Sequence, residues 1–137
     1  MKLRYSLLPY IYTLTYEANQ FGYPIVRPLF YEFPNDTLSY SVENEYMFGD
    51  EMLVAPVIER EKKIKQIYLP FGSYWYDFWT NKKHDGNQWI NVDVNLETIP
   101  LFVKAGSFIP MTEPVNSTDD YSSEKLIVKY YCDSTTV

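Results

Sequence analysis

Carboxylates are the reagents this sequence offers. Glu43/Glu45, Asp50/Glu51 and Asp119/Asp120 stand adjacent or one residue apart. Two carboxyl groups cleave a glycosidic bond when they face each other across it, about 5–5.5 Å apart for retention and farther for inversion. Adjacency within turn-like or polar sequence does not produce that geometry, so all three pairs read as solvated surface. Asp77 differs, because Tyr76 and Phe78 flank it; desolvation there would raise its pKa as a general acid requires. The competing reading has Asp77 bonding a turn backbone or a Tyr hydroxyl, and it is preferred. His84, the single histidine, lies among Lys82, Lys83, Asp85 and Gly86 and reads as an exposed turn residue. One histidine and one cysteine, Cys132, supply neither a zinc or iron site nor an internal disulfide. No Ser-His-Asp set or Gly-rich phosphate loop accompanies them.

The elements that would position these groups change type near Glu45–Val57, EYMFGDEMLVAPV. Before it, Leu3, Leu7, Tyr10, Ile11, Leu14, Ala18 and Phe21 recur at spacings of three and four, predicting a helix over 3–21. Gly22 is its natural C-cap and Pro24 blocks continuation. Pro9 kinks that helix, unless the helix begins near Ser6 and Pro9 occupies its first turn. Ile25–Phe30 reads as a short strand that Pro28 ends in a loop. Phe33-Pro34-Asn35-Asp36 is a turn, with Asp36 or Asn35 capping a short helical piece through Val42.

After the junction the period is two. Ile67 and Leu69 share a face, Trp75–Trp79 is an aromatic strand, and Ile90, Val92 and Val94 alternate with Asn91, Asp93 and Asn95. On that strand Trp75 and Trp79 share one face, opposite Tyr76 and Phe78. Ile99, Leu101 and Val103 continue the pattern, and Ala105-Gly106-Ser107 turns the chain into Phe108-Ile109-Pro110. Short strands between turn signals argue a β-sandwich. Residues 111–124 read as a linker, and Leu126, Val128 and Tyr130 as a last strand without a neighbour.

Composition narrows the partners. The formal net charge of −6 argues against a nucleic acid, whose affinity rests on clustered Lys and Arg. The one basic cluster, Glu61–Lys65, reads as a solvated strand face. No stretch has the length of a membrane span, and the N-terminal residues have no signal-peptide layout. Two sequons, Asn35-Asp36-Thr37 and Asn116-Ser117-Thr118, carry meaning only in a secreted eukaryotic protein, so compartment stays open. The chain is 18% aromatic with 14 Tyr, which suits sugar stacking and suits strand cores equally.

Five segments in order carry a resemblance. Arg4–Tyr12 (RYSLLPYIY), Pro24–Phe30 with Glu32–Asp36, Tyr46–Val57, Trp75–Thr80 and Ile99–Pro110 resemble motifs of glycoside hydrolase family 31, the α-glucosidase and α-xylosidase group. Asn81 stands where the fourth motif has glycine. The resemblance implies a chain that is mainly β with an N-terminal helical segment: the tail of a (β/α)8 barrel followed by a β-sandwich domain. Residues 1–42 would be the last helix–strand–helix portion of the barrel. Residues 43–112 would be the proximal sandwich, and 113–137 a linker and the first strand of a truncated distal β-domain.

The family's activity is retaining hydrolysis of α-glycosidic bonds by two aspartates, without a cofactor. Both aspartates belong to motifs upstream of anything present here, so the resemblance implies no catalytic residue, cofactor-binding residue or metal ligand in this chain. Arg27, Phe30 and Glu32 become substrate-proximal candidates, at what would be the C-terminal end of the final barrel strand. Arg27 as a structural ion-pair partner and Phe30 as a core residue are the plainer readings. The implied partner is an oligosaccharide or glycoside, with no nucleic acid and no membrane. The chain alone is expected to self-associate through an exposed apolar helix. Glucosidase, xylosidase and transferase remain undivided, and a free-standing carbohydrate-binding β-sandwich is the alternative.

Overall fold

The computed structural model describes residues 2–120, 122 and 124–133. Tyr121, Ser123 and residues 134–137, parts of the expected linker and distal segment, lie outside the described residues. The chain is mainly β with a small helical part, and it packs as two units.

One unit comprises the described residues up to Ile25 together with Phe108–Tyr130. The expected helix is divided: α1 is Lys2–Ser6 and α2 is Leu8–Phe21, with Leu7 out of helical geometry between them. Pro9 lies in the first turn of α2, where its missing N–H costs nothing. The Leu7 and Ile11 amides still bond back to Leu3 and Leu7, at 3.0 and 2.9 Å, so the two pieces are one column with a joint. Gly22 closes α2 in the left-handed conformation, its amide donating to the Ala18 carbonyl. Leu7, Leu8, Tyr10 and Leu14 are buried while Phe21 is exposed. That corrects the expectation of an apolar helix face left in water. The strand expected to lack a neighbour, β10 (Ile127–Tyr130), pairs antiparallel with β9 (Phe108–Met111), Phe108 stacking on Tyr130 at 4.5 Å. Periodicity marks a strand's faces without naming its neighbour, so the return of β10 to β9 is not visible in the polar sequence between them.

The other unit holds Val26–Ser107 and the described residues from Tyr131 onward. Its main sheet is antiparallel throughout, in the order β1 (Val26–Arg27), β2 (Tyr46–Phe48), β3 (Met52–Val54), β8 (Leu101–Lys104), β5 (Tyr74–Asp77) and β6 (Lys83–Asp85). A ribbon of β4 (Ile64–Leu69) and β7 (Gln88–Asp93) is separate. Ile67, Tyr68 and Leu69 of that ribbon share one core with Met47, Leu53, Trp75 and Phe102 of the sheet, and Leu29 joins from the segment before it. The result is two layers with a second layer of only two strands. β7 keeps the alternation read from its sequence, half-buried against exposed. β8 does not, because Leu101, Phe102 and Val103 are all buried in the middle of the sheet.

Trp79 is not on β5. The strand ends at Asp77, and Trp79 lies in the following turn, its Nε1 donating to the Ile99 carbonyl at 2.8 Å. The shared Trp face is therefore a correction: Trp75 is fully buried and Trp79 is exposed. Asn81 is left-handed, at φ 59°, which explains a family glycine there; Asn tolerates that region better than most residues. His84 is also corrected, standing on β6 opposite Trp75 with its ring edge-on to Phe102. Burial is the first cause lowering its pKa.

The turn between β6 and β7 needs glycine for space. A Cβ on Gly86 would collide with the backbone carbonyl oxygens of Pro70 and Ser73. We expect Gly86→Ala to cost about 1–3 kcal/mol through that overpacking, read as a lowered urea midpoint with an unchanged m-value. An unchanged midpoint would show that the turn can open without cost.

Candidate functional site

Two groups of polar side chains in the second unit have the density of a site. The first follows from the proline in Val26–Glu32. Pro28 ends β1 and caps α3 (Leu29–Glu32), so one helical turn carries Glu32 back to Arg27. Arg27 is buried, donates to Glu32 Oε1, and lies over the Tyr31 ring at 5.6 Å. Phe30 is corrected from core to surface: it is 42% exposed and stacks face to face on Tyr40 at 5.3 Å. Val26, Phe30, Tyr31, Leu38 and Tyr40 together leave a run of exposed apolar side chains along this segment. The structure thus brings Arg27 and Glu32 together and places Phe30 outward.

The second group centres on Asp36. Its carboxylate caps the 3-10 turn Thr37–Tyr40 by accepting from the Leu38 amide at 3.1 Å. It also accepts from the Tyr68 hydroxyl at 3.0 and 2.8 Å and from the Phe71 amide at 2.8 Å. The cap was legible; its reach to β4 was not. Burial, then the bond to Asp36 and its negative charge, push the Tyr68 hydroxyl well above its ordinary pKa.

Next along β4, the sequence reading of Glu61–Lys65 and of Glu43/Glu45 as solvated is corrected at Lys65 and Glu45 alone, since Glu43, Glu61 and Lys63 are exposed. Lys65 and Glu45 are 3% and 4% exposed. Lys65 Nζ donates to the carbonyls of Pro56 and of Asn44, the latter at 3.1 Å. Glu45 Oε1 accepts from the Tyr68 amide at 2.9 Å, and Oε2 has no hydrogen-bond partner. Burial raises the Glu45 pKa from 4.5 to about 7, against the opposing effects of the Tyr68 amide and the Lys65 charge. Burial likewise lowers that of Lys65. A signal for Lys65 existed: it shares strand parity with Ile67 and Leu69, the residues that mark the inner face.

The remaining candidates are structural. Asp77 Oδ1 accepts from the amides of Trp79 and Thr80, at 2.8 and 3.1 Å, which is the turn-bonding reading. Asp50, Asp119 and Asp120 are exposed and Glu51 is half-buried. Among the described residues no group of three or more His, Cys, Asp or Glu side chains is placed to hold a metal ion, and no helix is long and apolar enough to cross a membrane.

Residues 22–109 match the glycosyl hydrolase family 31 C-terminal domain. The chain belongs to glycoside hydrolase family 31. The family resemblance read from its five motifs is borne out. It is 43% identical over 122 residues to an α-xylosidase of Saccharolobus solfataricus, covering 88% of this chain and 17% of that protein. It is 41% identical over 108 residues to human neutral α-glucosidase AB, covering 78% of this chain and 11% of the relative. In structure it is similar to a family 31 dextranase of Flavobacterium johnsoniae complexed with isomaltotriose, with a TM-score of 0.92 and 39% identity, over 97% of this chain and 16% of that one. A family 31 α-xylosidase from Xanthomonas citri gives 0.88 and 38%, over 93% and 14%. The chain therefore spans less than a fifth of the family members it matches.

The Asp36 cluster gives a test of this geometry. Asp36→Asn keeps one acceptor but turns an amide donor toward the Tyr68 hydroxyl or the Phe71 N–H. We expect a loss of about 2–4 kcal/mol in denaturant unfolding, and a smaller loss of about 1–2 kcal/mol for Tyr68→Phe. Equal, negligible losses would remove Asp36 as the tie between this segment and β4.

Proposed function

We propose that this chain is the C-terminal part of a retaining α-glycosidase of family 31, acting on α-glycosidic bonds in oligosaccharides or glycosides. In this reading, residues 1–42 end a (β/α)8 barrel, 43–112 form the β-domain that supports it, and 113–137 lead into a further β-domain. The chain supplies no catalytic aspartate and no cofactor ligand; its work is scaffolding. One observation carries the reading: the run Val26, Phe30, Tyr31, Leu38 and Tyr40 is exposed beside an edge strand of the sheet, β1. Exposed apolar area of this kind marks a surface built to be covered. A catalytic body seated there would bury it, and would bring Arg27, Phe30 and Glu32 toward the substrate. The carbohydrate-binding alternative loses Trp75, which is buried.

The chain alone should show no turnover of aryl α-glucosides or aryl α-xylosides above a matched blank. A reading frame extended upstream should hydrolyse at least one of them. Turnover by the chain alone that survives repurification and disappears in Asp77→Asn would overturn the scaffolding reading.

Self-association of the chain alone is now expected through this exposed run, since half of the helix face expected to drive it is buried. Replacing both Phe30 and Tyr40 by Ser should shift light scattering toward monomer at matched concentration. An unchanged mass distribution would place the sticky surface elsewhere.

A further inference from the structure

Glu45, just before β2, and Lys65 on β4 have no part in the proposed scaffolding of a catalytic body, yet their construction is unusual for groups that only stabilise. Glu45 reaches across to β4 and holds the Tyr68 amide with one oxygen, while the other oxygen is buried and bonded to nothing. Lys65, from the same strand, points inward and ties together the carbonyls of Asn44, which precedes Glu45, and Pro56, which follows β3. A buried carboxylate oxygen without a partner penalises the charged form. The neutral acid carries no such penalty.

We propose that Glu45 and Lys65 form a proton-operated latch between the main sheet and the β4–β7 ribbon, tightened when Glu45 binds a proton. The charges acting on the two groups come from each element around them. Lys65 faces Glu45 from β4. Lys62 and Glu59, themselves paired at 2.9 Å, act on Lys65 from the loop after β3. Asp36 lies beyond Tyr68 and is bonded to its hydroxyl. Because Lys65 holds the Pro56 carbonyl, the latch also fixes the start of the 56–63 loop. That loop lines an open groove of about 1020 Å³ with Asn95, Leu96, Thr98 and Ile99.

The sign follows from proton linkage. Between about pH 4.5 and 7 the folded chain holds a proton on Glu45 that the unfolded chain has released. Stability from this group is therefore fully present below the unfolded value and is lost as pH rises through the folded one. His84 works in the opposite direction, since its lowered pKa costs stability as pH falls through 6.5. The measurement is thus the difference between the parent chain and Glu45→Gln in urea unfolding from pH 4.5 to 8.

In the parent chain the unfolding constant should rise up to about tenfold per pH unit relative to Glu45→Gln across that window, then run parallel above it. Parallel curves throughout would overturn the latch. Should Glu45→Gln fail to fold, ¹³C titration of the Glu45 side-chain carboxyl in the parent chain decides instead. A midpoint near neutrality supports the proposal, and one at the ordinary value of 4.5 overturns it.

Discussion

The Asp36 carboxylate is the point from which the second unit is held together. It caps the turn Thr37–Tyr40, takes the Tyr68 hydroxyl from β4, and takes the Phe71 amide from the turn after β4. Losing the carboxylate would leave the buried Tyr68 hydroxyl only the longer bond to Asn87 Oδ1, at 3.4 Å, and an under-satisfied buried donor costs more than the bond itself contributes. Position follows from this arrangement. Tyr40 sits where it can stack on Phe30 because its turn is anchored, and Phe33 meets Trp75 at 5.7 Å for the same reason. The segment that displays the exposed aromatic run is thus fixed to the β-domain by this carboxylate together with the β1–β2 pairing and the burial of Leu29.

Trp75 plays the apolar counterpart. It is fully buried on β5, next to the edge strand β6, and its Nε1 donates to the Pro70 carbonyl, so its polar edge is satisfied inside the core. Pro70 in turn belongs to the tight region where Gly86 admits no side chain. Ribbon and sheet are therefore joined by packing and by backbone contact in one place. The two-strand second layer can stay small because it is braced at Asp36, at Glu45 and at Trp75.

The titratable groups of this family 31 chain have a consistent physical reading. They hold strands and turns together. Asp77 closes a turn, Glu32 neutralises a buried Arg27, and Glu45 bonds a β4 amide. What faces outward beside β1 is aromatic and aliphatic, a surface suited to another body of protein more than to proton transfer.

Local chemistry made part of this legible from sequence. Gly22 and Pro24 end a helix wherever it packs, Asp36 caps a turn with a side chain two residues away, and β7 shows its alternation because it has one buried face. Asn81 at a motif glycine is left-handed for the same local reason, though its sequence position was read only as a departure from the motif. The family, too, was legible, since its motifs are contiguous runs. Tertiary structure decided the rest. Strand parity with Ile67 and Leu69 turns Lys65 inward, but nothing local says that it meets two carbonyls there, or that Glu45 is buried while Glu43 is not; those depend on which strand lies across from which. Trp79 leaves the face of Trp75 because β5 ends at Asp77, whose carboxylate bonds the Trp79 and Thr80 amides of the following turn. β10 found β9 because pairing joins residues distant in the chain, and periodicity reports a strand's faces without naming its neighbour.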